Sequence, residues 1–565
     1  MKTRPGKYFR KLMPPVKVLF SKFLFPGMVL DLIRILTLYH MNLKALKTAV
    51  AAIFILISVP SAAQLDPTLS SPLNKFGQAI YYINQYYLDT VNNDKLIENA
   101  IREALSQLDP HSSYVSSDEV KAMNEPLEGN FEGVGIEFSI IRDTLTVVNP
   151  VSGGPSERVG IRAGDKIVAV NGEVIASTGV TNDKVFKYLR GPKGSKVMLK
   201  VIRRGVPVFL DFEVERDRIP INSIDAVYEP AKGIVYIKLS RFAATTRSEI
   251  MTALATLNIE NPKGVILDLR GNSGGYLGTA FEISNMFLDK GQTIVYTEGR
   301  RIPKMVERAN GEGIFKNEKL AVLIDEGSAS ASEIVAGAIQ DWDRGVVLGR
   351  RSFGKGLVQQ KLPLPDGSQL VLTIARYHTP SGRVIQSPYE QGSADKYYKA
   401  IYARYSNGEF FSKDSIHFPD SLKYKTLLKG RTVYGGGGIM PDIFIPADTT
   451  GYSDYYGSIV RRGILLDYMN DITDSGMDEW KRNFGTFEIF MSQYDSDNKI
   501  FDGLISYAET KGLAPVQDQI ERSSKEIKLY MKAIAARRLF GQNAYYMVVN
   551  SSGDPVFERA LKTLL

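Results

Sequence analysis

The 565-residue chain is long enough for several domains, each with its own core, and its 44% hydrophobic and 23% charged residues are those of an ordinary folded protein. Its formal net charge of +8 sits at the front: residues 1–63 hold ten Lys and Arg against one acid, Asp31, leaving −1 for the rest and excluding a global affinity for phosphate backbones. The chain has no cysteine, which excludes thiol nucleophiles, thiolate metal sites and disulfides, and four scattered histidines (His40, His111, His378 and His417) argue against a metal centre.

From Met41 the pattern is that of a secretory signal. Lys44 and Lys47 precede an apolar run from Ala49 to Val59, and Ser61, Ala62 and Ala63 make a small-residue cleavage site before Gln64. The run of 11 residues is short of the roughly 20 that span a bilayer as a helix. Export to a periplasm or cell envelope is expected, with cleavage near Ala63; an uncleaved N-terminal anchor is the alternative. Met41 reads as the true start and residues 1–40 as an upstream extension.

Residues 64–128 form a helical N-terminal region. Ile80, Ile83 and Tyr87, then Leu96, Ile97, Ile101, Leu105 and Leu108, recur at spacings of three and four. Asp109-Pro110 ends the pattern, because a residue before proline is pushed out of the helical region. No chemistry is visible here; the segment reads as scaffold or an oligomerisation arm.

Residues 129–217 change to short strands at 136–140, 144–148 and 166–170, an Asn171-Gly172 turn, a helix with Val185 and Leu189 on one face, and two closing strands. The motifs GVGIEF at 133–138, GPSERVGIRAGD at 154–165 and IVAVNG at 167–172 resemble a PDZ domain. In that likeness Gly133, Val134, Gly135 and Ile136 form a backbone nest for a terminal carboxylate, and the following strand offers an edge to an extended peptide.

Residues 218–449 alternate apolar runs at 233–239, 264–269, 320–325 and 346–349 with helical stretches, the texture of an α/β core. Within them, 386–435 is a polar, Tyr-rich insertion without visible pattern. The glycines at 435–438 lack the Lys-Ser/Thr of a phosphate loop. Residues 450–565 read as a mixed helical extension.

Chemistry concentrates at DEGSASASEI, 325–334, where a strand runs into a small-residue turn and then a helix. This arrangement exposes a hydroxyl and aims N–H groups at a developing oxyanion. Ser330 with Glu333 equally matches a capping box, which occurs at helix starts without catalytic meaning. A serine needs a base. His378 and His111 have no evident carboxylate partner, whereas Lys355, between glycines in FGKG (353–356), would release its proton near neutrality if buried away from counter-charge. By chemistry alone Ser328 and Ser332 are rival nucleophiles.

Taken together, GSASASE, FGKG, DLRGNSGG at 268–275, TPSGR at 379–383, LDPHSSY at 108–114 and the PDZ placement resemble the carboxy-terminal processing proteases, the tail-specific peptidases of the S41 type. The resemblance covers 70–385 and 432–447. It implies a multidomain α/β fold: a helical N-terminal region, an inserted β-rich PDZ domain, an α/β serine-protease core and a helical C-terminal extension. It makes Ser330 the nucleophile, Lys355 the general base and Gln359 the residue that orients the lysine. It builds the oxyanion hole from Ala331 and Gly274 or Gly275, and gives Arg190 of LRGPKG the task of reporting substrate from the PDZ domain. Glu333 and Asp341 read as supporting structure. The departures are His378, where the family usually has tyrosine, and the segments 386–435 and after 450. The implied activity is endopeptidase cleavage of exported proteins near apolar C-terminal tails, with no metal or other cofactor. Protein substrates with such tails are the expected partners; an envelope adaptor protein and a homo-oligomer stay open, and nucleic acid is not expected. The rival is a non-catalytic PDZ adaptor or chaperone, which would be expected to lack at least one of these residues.

Overall fold

The computed structural model describes residues 67–565 apart from 142, 152, 163, 260–261 and 495–497, so the expected signal segment and the extension before it lie outside the described residues. Two units are distinguished, 1–96 and 97–565. In the first, helix α1 (Pro67–Tyr86) precedes the start of α2 (Asn93–Ser106), and Ile83 and Tyr87 of the periodic series are exposed.

In the second unit α2 ends, and the expected break at Asp109-Pro110 leads into β1 (Ser113–Val115) and α3 (Ser117–Glu128). α3 opens with the Glu119 carboxylate accepting Ser116 N–H at 3.0 Å and closes on Gly129 at φ 76°, the left-handed conformation glycine adopts freely. Then come β2 (Asn130–Gly133), β3 (Ile136–Ile141), β4 (Thr144–Pro150), α4 (Pro155–Arg158), β5 (Lys166–Val170), β6 (Glu173–Val174), α5 (Asn182–Leu189), β7 (Lys196–Ile202), β8 (Leu210–Glu215) and β9 (Asp217–Pro220). The sheet order is β3-β4-β5-β7-β8, with β6 on β5. Period-two alternation buries Val197, Leu199 and Val201 beneath α5, whose Val185 and Leu189 join the same core. β2 and β9 pair antiparallel, so entry and exit share one two-stranded ribbon.

The protease-like part begins with β10 (Ile224–Ala231) and β11 (Ile234–Leu239), then α6 (Thr246–Leu257), β12 (Gly264–Asp268), α7 (Leu277–Asn285), β13 (Thr293–Glu298), β14 (Met305–Arg308), β15 (Lys319–Ile324), α8 (Ala331–Asp341), β16 (Val346–Gly349), β17 (Leu357–Pro363) and β18 (Gln369–His378). The tract read as patternless holds α9 (Ala394–Ser406) and a small hairpin of β19 (Lys423–Lys425) and β20 (Thr432–Tyr434), before β21 (Ile443–Phe444). The main sheet runs β10-β11-β12-β15-β16-β21, parallel from β11 onward. A second sheet centres on β18. Leu370 pairs with Leu362 of β17 and with Tyr114 of β1, so these two strands flank it on opposite edges.

The C-terminal region is helical: α10 (Asp454–Arg461), α11 (Ile464–Asn483), α12 (Phe487–Gln493), α13 (Asn498–Thr510), α14 (Gln517–Phe540), α15 (Gln542–Ser551) and α16 (Pro555–Leu564). Most of it shares a core of its own. α16 does not: Val556, Phe557 and Leu564 pack with Tyr236, Ile266 and Leu323 on one face of the main sheet, while Val265, Leu267 and Val322 face the opposite core with α8. Burial on both faces is why these strands read as continuous apolar runs.

Candidate active site

The β15–α8 turn and the start of α8 carry the three serines, and their surroundings differ. Ser328 is fully buried, its hydroxyl donating to Leu269 O at 2.8 Å, and Ser332 is fully buried, donating to Asn272 O at 2.8 Å. Ser332 is thereby tied to the glycine loop 271–275, and Ser328 to Leu269, just past β12, which leads into it. Ser330 lines a cavity of about 450 Å³, and its backbone sits at φ 54°, ψ −110°. A non-glycine residue there holds about 1–3 kcal/mol of strain, a feature of nucleophile turns.

The same cavity is lined by Ala331, Gly275, Lys355, Gln359 and Tyr377, with Leu127, Ile334 and Leu357 as apolar wall. Among the described residues neither Ala331 N–H nor Gly275 N–H has a backbone or side-chain acceptor. Gly274 differs: its N–H donates to Asn272 Oδ1 at 2.9 Å, so it is not free for an oxyanion. Its glycine identity serves close approach instead, since a Cβ would lie 2.9 Å from Ala329 O and from Ser330 Cβ.

Glu333, on the first turn of α8, is fully buried and collects four donors. Oε2 accepts Ser330 N–H at 2.8 Å and Lys355 N–H at 2.9 Å; Oε1 accepts Gly354 N–H at 2.7 Å and the Ser352 hydroxyl at 2.6 Å. One carboxyl group thus fastens the serine turn to the lysine loop, and burial pushes it up to about 7 against the pull of those donors. Asp341, at the other end of α8, bonds the buried Arg383 of TPSGR at 2.6 Å.

Burial lowers the Lys355 ammonium below its ordinary value, against the carboxylates of Glu333 and Asp109, which favour the charged form. The expectation of a lysine away from counter-charge is therefore corrected: two carboxylates act on it and desolvation outweighs them. The Tyr377 hydroxyl donates to Lys355 O, and its side chain lines the cavity together with Ser330. Gln359 does not bond Lys355; its Nε2 donates to Thr373 Oγ1 at 3.4 Å.

The turn Asp109–Ser112, which seemed chemically silent, lies against this loop. His111 stacks edge-on to Tyr397 at 5.3 Å; its imidazole is pushed down to about 4, first by burial and then by the Lys355 charge. His378 stacks on Tyr296 at 4.5 Å and is not among the cavity's lining residues. Thr373 and Tyr377 escaped the sequence reading because they lie on β18, where only strand pairing brings Thr373 opposite Gln359 and only the fold brings Tyr377 to the cavity; that His111 and Asp109 lie beside Lys355 likewise follows from tertiary structure.

The carboxylate nest is only partly as expected. Gly133 ends β2 and bridges to Arg190, so it belongs to the ribbon. Gly135 turns at φ 74°, where a Cβ would meet Ile219 at 2.9 Å. The Val134 side chain is buried, and its carbonyl accepts the Ser156 hydroxyl at 2.7 Å. Ile136 opens β3, beside which Phe138 and Phe186 of α5 meet edge to face at 5.8 Å. The Arg190 guanidinium lies over Phe131 and Phe186 and bonds the buried Glu125 at 2.6 Å. Glu125 sits on α3, two residues from the cavity-lining Leu127.

Residues 233–391 match peptidase family S41, 146–203 match the PDZ domain and 455–541 match a family of unknown function. The chain is 38% identical over 347 residues to a carboxy-terminal-processing protease of Bartonella bacilliformis, covering 60% of this chain and 79% of that one. It is 36% identical to carboxy-terminal processing protease CtpB of Bacillus subtilis, covering 58% and 68%. Among solved structures it is similar to the photosystem II D1 C-terminal processing protease, 26% identical with a TM-score of 0.35, covering 66% and 87%.

Proposed function

The chain belongs to peptidase family S41 as a carboxy-terminal processing serine protease with a PDZ domain, and we propose that it cleaves peptide bonds with Ser330 as nucleophile and Lys355 as general base. The observation that carries this is one cavity lined by a serine in a strained left-handed turn and by a lysine whose ammonium burial disfavours. Ser330 Oγ attacks the scissile carbonyl carbon while Lys355 Nζ takes its proton. The oxyanion is held by the N–H groups of Ala331 and Gly275. Lys355 returns the proton to the leaving amine, the peptide C–N bond breaks, and water hydrolyses the acyl-enzyme by the same steps.

The PDZ groove between β3 and α5 takes an apolar C-terminal tail, and Arg190 links that groove through Glu125 to α3 at the cavity edge. The signal-like segment 41–63 directs the enzyme to the cell envelope, where exported proteins are its substrates. The adaptor alternative has no observation in its favour, since Ser330, Lys355, Gln359 and the glycine turn are all present.

The test is cleavage of an unfolded reporter with an apolar C-terminal tail by residues 64–565 and by Ser330→Ala and Lys355→Ala. Both variants are expected to lose activity by at least about a thousandfold. Equal cleavage by all three refutes the dyad, and cleavage indifferent to the tail refutes the recognition.

A further inference from the structure

Gln359 and Thr373 are direct cross-strand partners on β17 and β18, and Ser112, next to β1, reaches β18 from its other edge. A chain of hydrogen bonds crosses these strands. Asp109 Oδ1 accepts the N–H of His111 at 2.9 Å and of Ser112 at 3.0 Å, and Oδ2 accepts the Ser112 hydroxyl at 2.6 Å. The Ser112 oxygen accepts Thr373 N–H at 3.0 Å. Surrounded by donors, Asp109 acts on Thr373 as an acceptor, so the Thr373 hydroxyl gives its hydrogen to Oδ1 at 2.9 Å. The Thr373 oxygen then has only lone pairs left to offer, and the Gln359 group facing it at 3.4 Å must be the NH2.

We propose that Thr373 and Asp109 are positioning residues for the reaction: the direction of their hydrogen bonds fixes Gln359 with its carbonyl as the end that faces Lys355. This rests on Lys355 being the general base. Which end of the amide is presented matters chemically. A carbonyl there can accept an N–H when the Lys355 amine turns to it, a bond not formed in this structure, and leaves the nitrogen lone pair free for the Ser330 proton. An NH2 turned the other way would donate to that lone pair and occupy it. The charged and titratable groups around Lys355 are Glu333 from α8, Asp109 and His111 from the turn before β1, Tyr377 from β18, and, lining the same cavity, Lys361 from β17 and Tyr276 from the loop before α7; of these, Asp109 reaches the amide, through Thr373.

The experiment measures the second-order rate at which a fluorophosphonate probe labels Ser330 in residues 64–565, as a function of pH. It needs no knowledge of natural substrates. Thr373→Val keeps the shape and removes the hydroxyl; its labelling plateau is expected to fall about tenfold and its midpoint to move to lower pH, since an N–H donated to the amine favours the neutral form. Thr373→Ala, which puts no methyl against the buried carboxylate, is to behave likewise, and Thr373→Ser is to stay within about twofold of the parent. In a Gln359→Ala background Thr373→Val is to have no further effect, because it acts through Gln359. A parent-like profile for Val and Ala, a Ser variant as impaired as they are, or an undiminished Val effect without Gln359 overturns the proposal. Labelling that survives Lys355→Ala refutes the dyad itself; labelling that needs Lys355 but ignores Thr373 refutes the relay alone.

Discussion

At Ser330 the backbone is strained, and the buried Glu333 holds it there by accepting its N–H while also accepting that of Lys355. Ser330 and Lys355, the proposed nucleophile and base, are thus fastened to one carboxyl group, whose charge also favours the lysine ammonium. Activity should climb with pH as Lys355 loses its proton, through a midpoint below the ordinary lysine range because burial outweighs the carboxylates. Glu333→Gln removes one charge that stabilises the ammonium, so the midpoint of kcat/KM against pH should move lower still. The new NH2 also faces donors that had a carboxylate oxygen, at about 1–3 kcal/mol for each one stranded, so the thermal midpoint should drop as well. A midpoint that rises would contradict this account.

Among the elements, those read from sequence were the ones whose burial leaves a regular apolar pattern, on one face or on both. The runs of β11, β12, β15 and β16 are apolar at nearly every position, and the alternation of β7 and β8 survives because one face packs beneath α5. The β17–β18 hairpin went unread because its residues are half-buried and mixed, and α9 because its face is rich in tyrosine. The site divides similarly. Ser330 and Lys355 stand out in compact motifs, whereas the Thr373–Asp109 bond joins residues 264 positions apart, beyond any local pattern. Arg190 bridges to Gly133 at the end of the β2–β9 ribbon. Arg190→Ala leaves the buried Glu125 carboxylate without its partner, at about 2 kcal/mol, less than for a fully buried pair because the guanidinium is partly exposed. Hydrogen exchange should quicken in residues 130–133 and 217–220 and stay unchanged in β12 and β15; uniform protection would sink the idea.

Across the whole second unit, the C-terminal helices hold both other parts. Arg537 of α14 pairs with Glu137 on β3, and Arg538 donates to Val148 O on β4 at 3.0 Å. From α15, Asn543 exchanges two bonds with the Val227 backbone, at 3.0 and 2.9 Å. α16 seals the main sheet. Removing residues 555–565 uncovers the partners of three large apolar side chains, each worth about 1.5–3 kcal/mol, which together rival the stability of a typical domain. The truncated chain should lose its cooperative melt and become insoluble; a soluble, active truncation would show that the sheet stands without α16.

That closure has a consequence in time. The bond from Asn550 to the Tyr228 hydroxyl spans 322 residues, and α16 follows later still. A ribosome adding about 5–20 residues per second needs roughly 15–60 s to go from the early strands of the main sheet to the helix that covers them. Throughout that interval the nascent chain carries a bare apolar sheet face, the kind of surface that draws chaperones or seeds aggregation, with the Ser330 turn already synthesised.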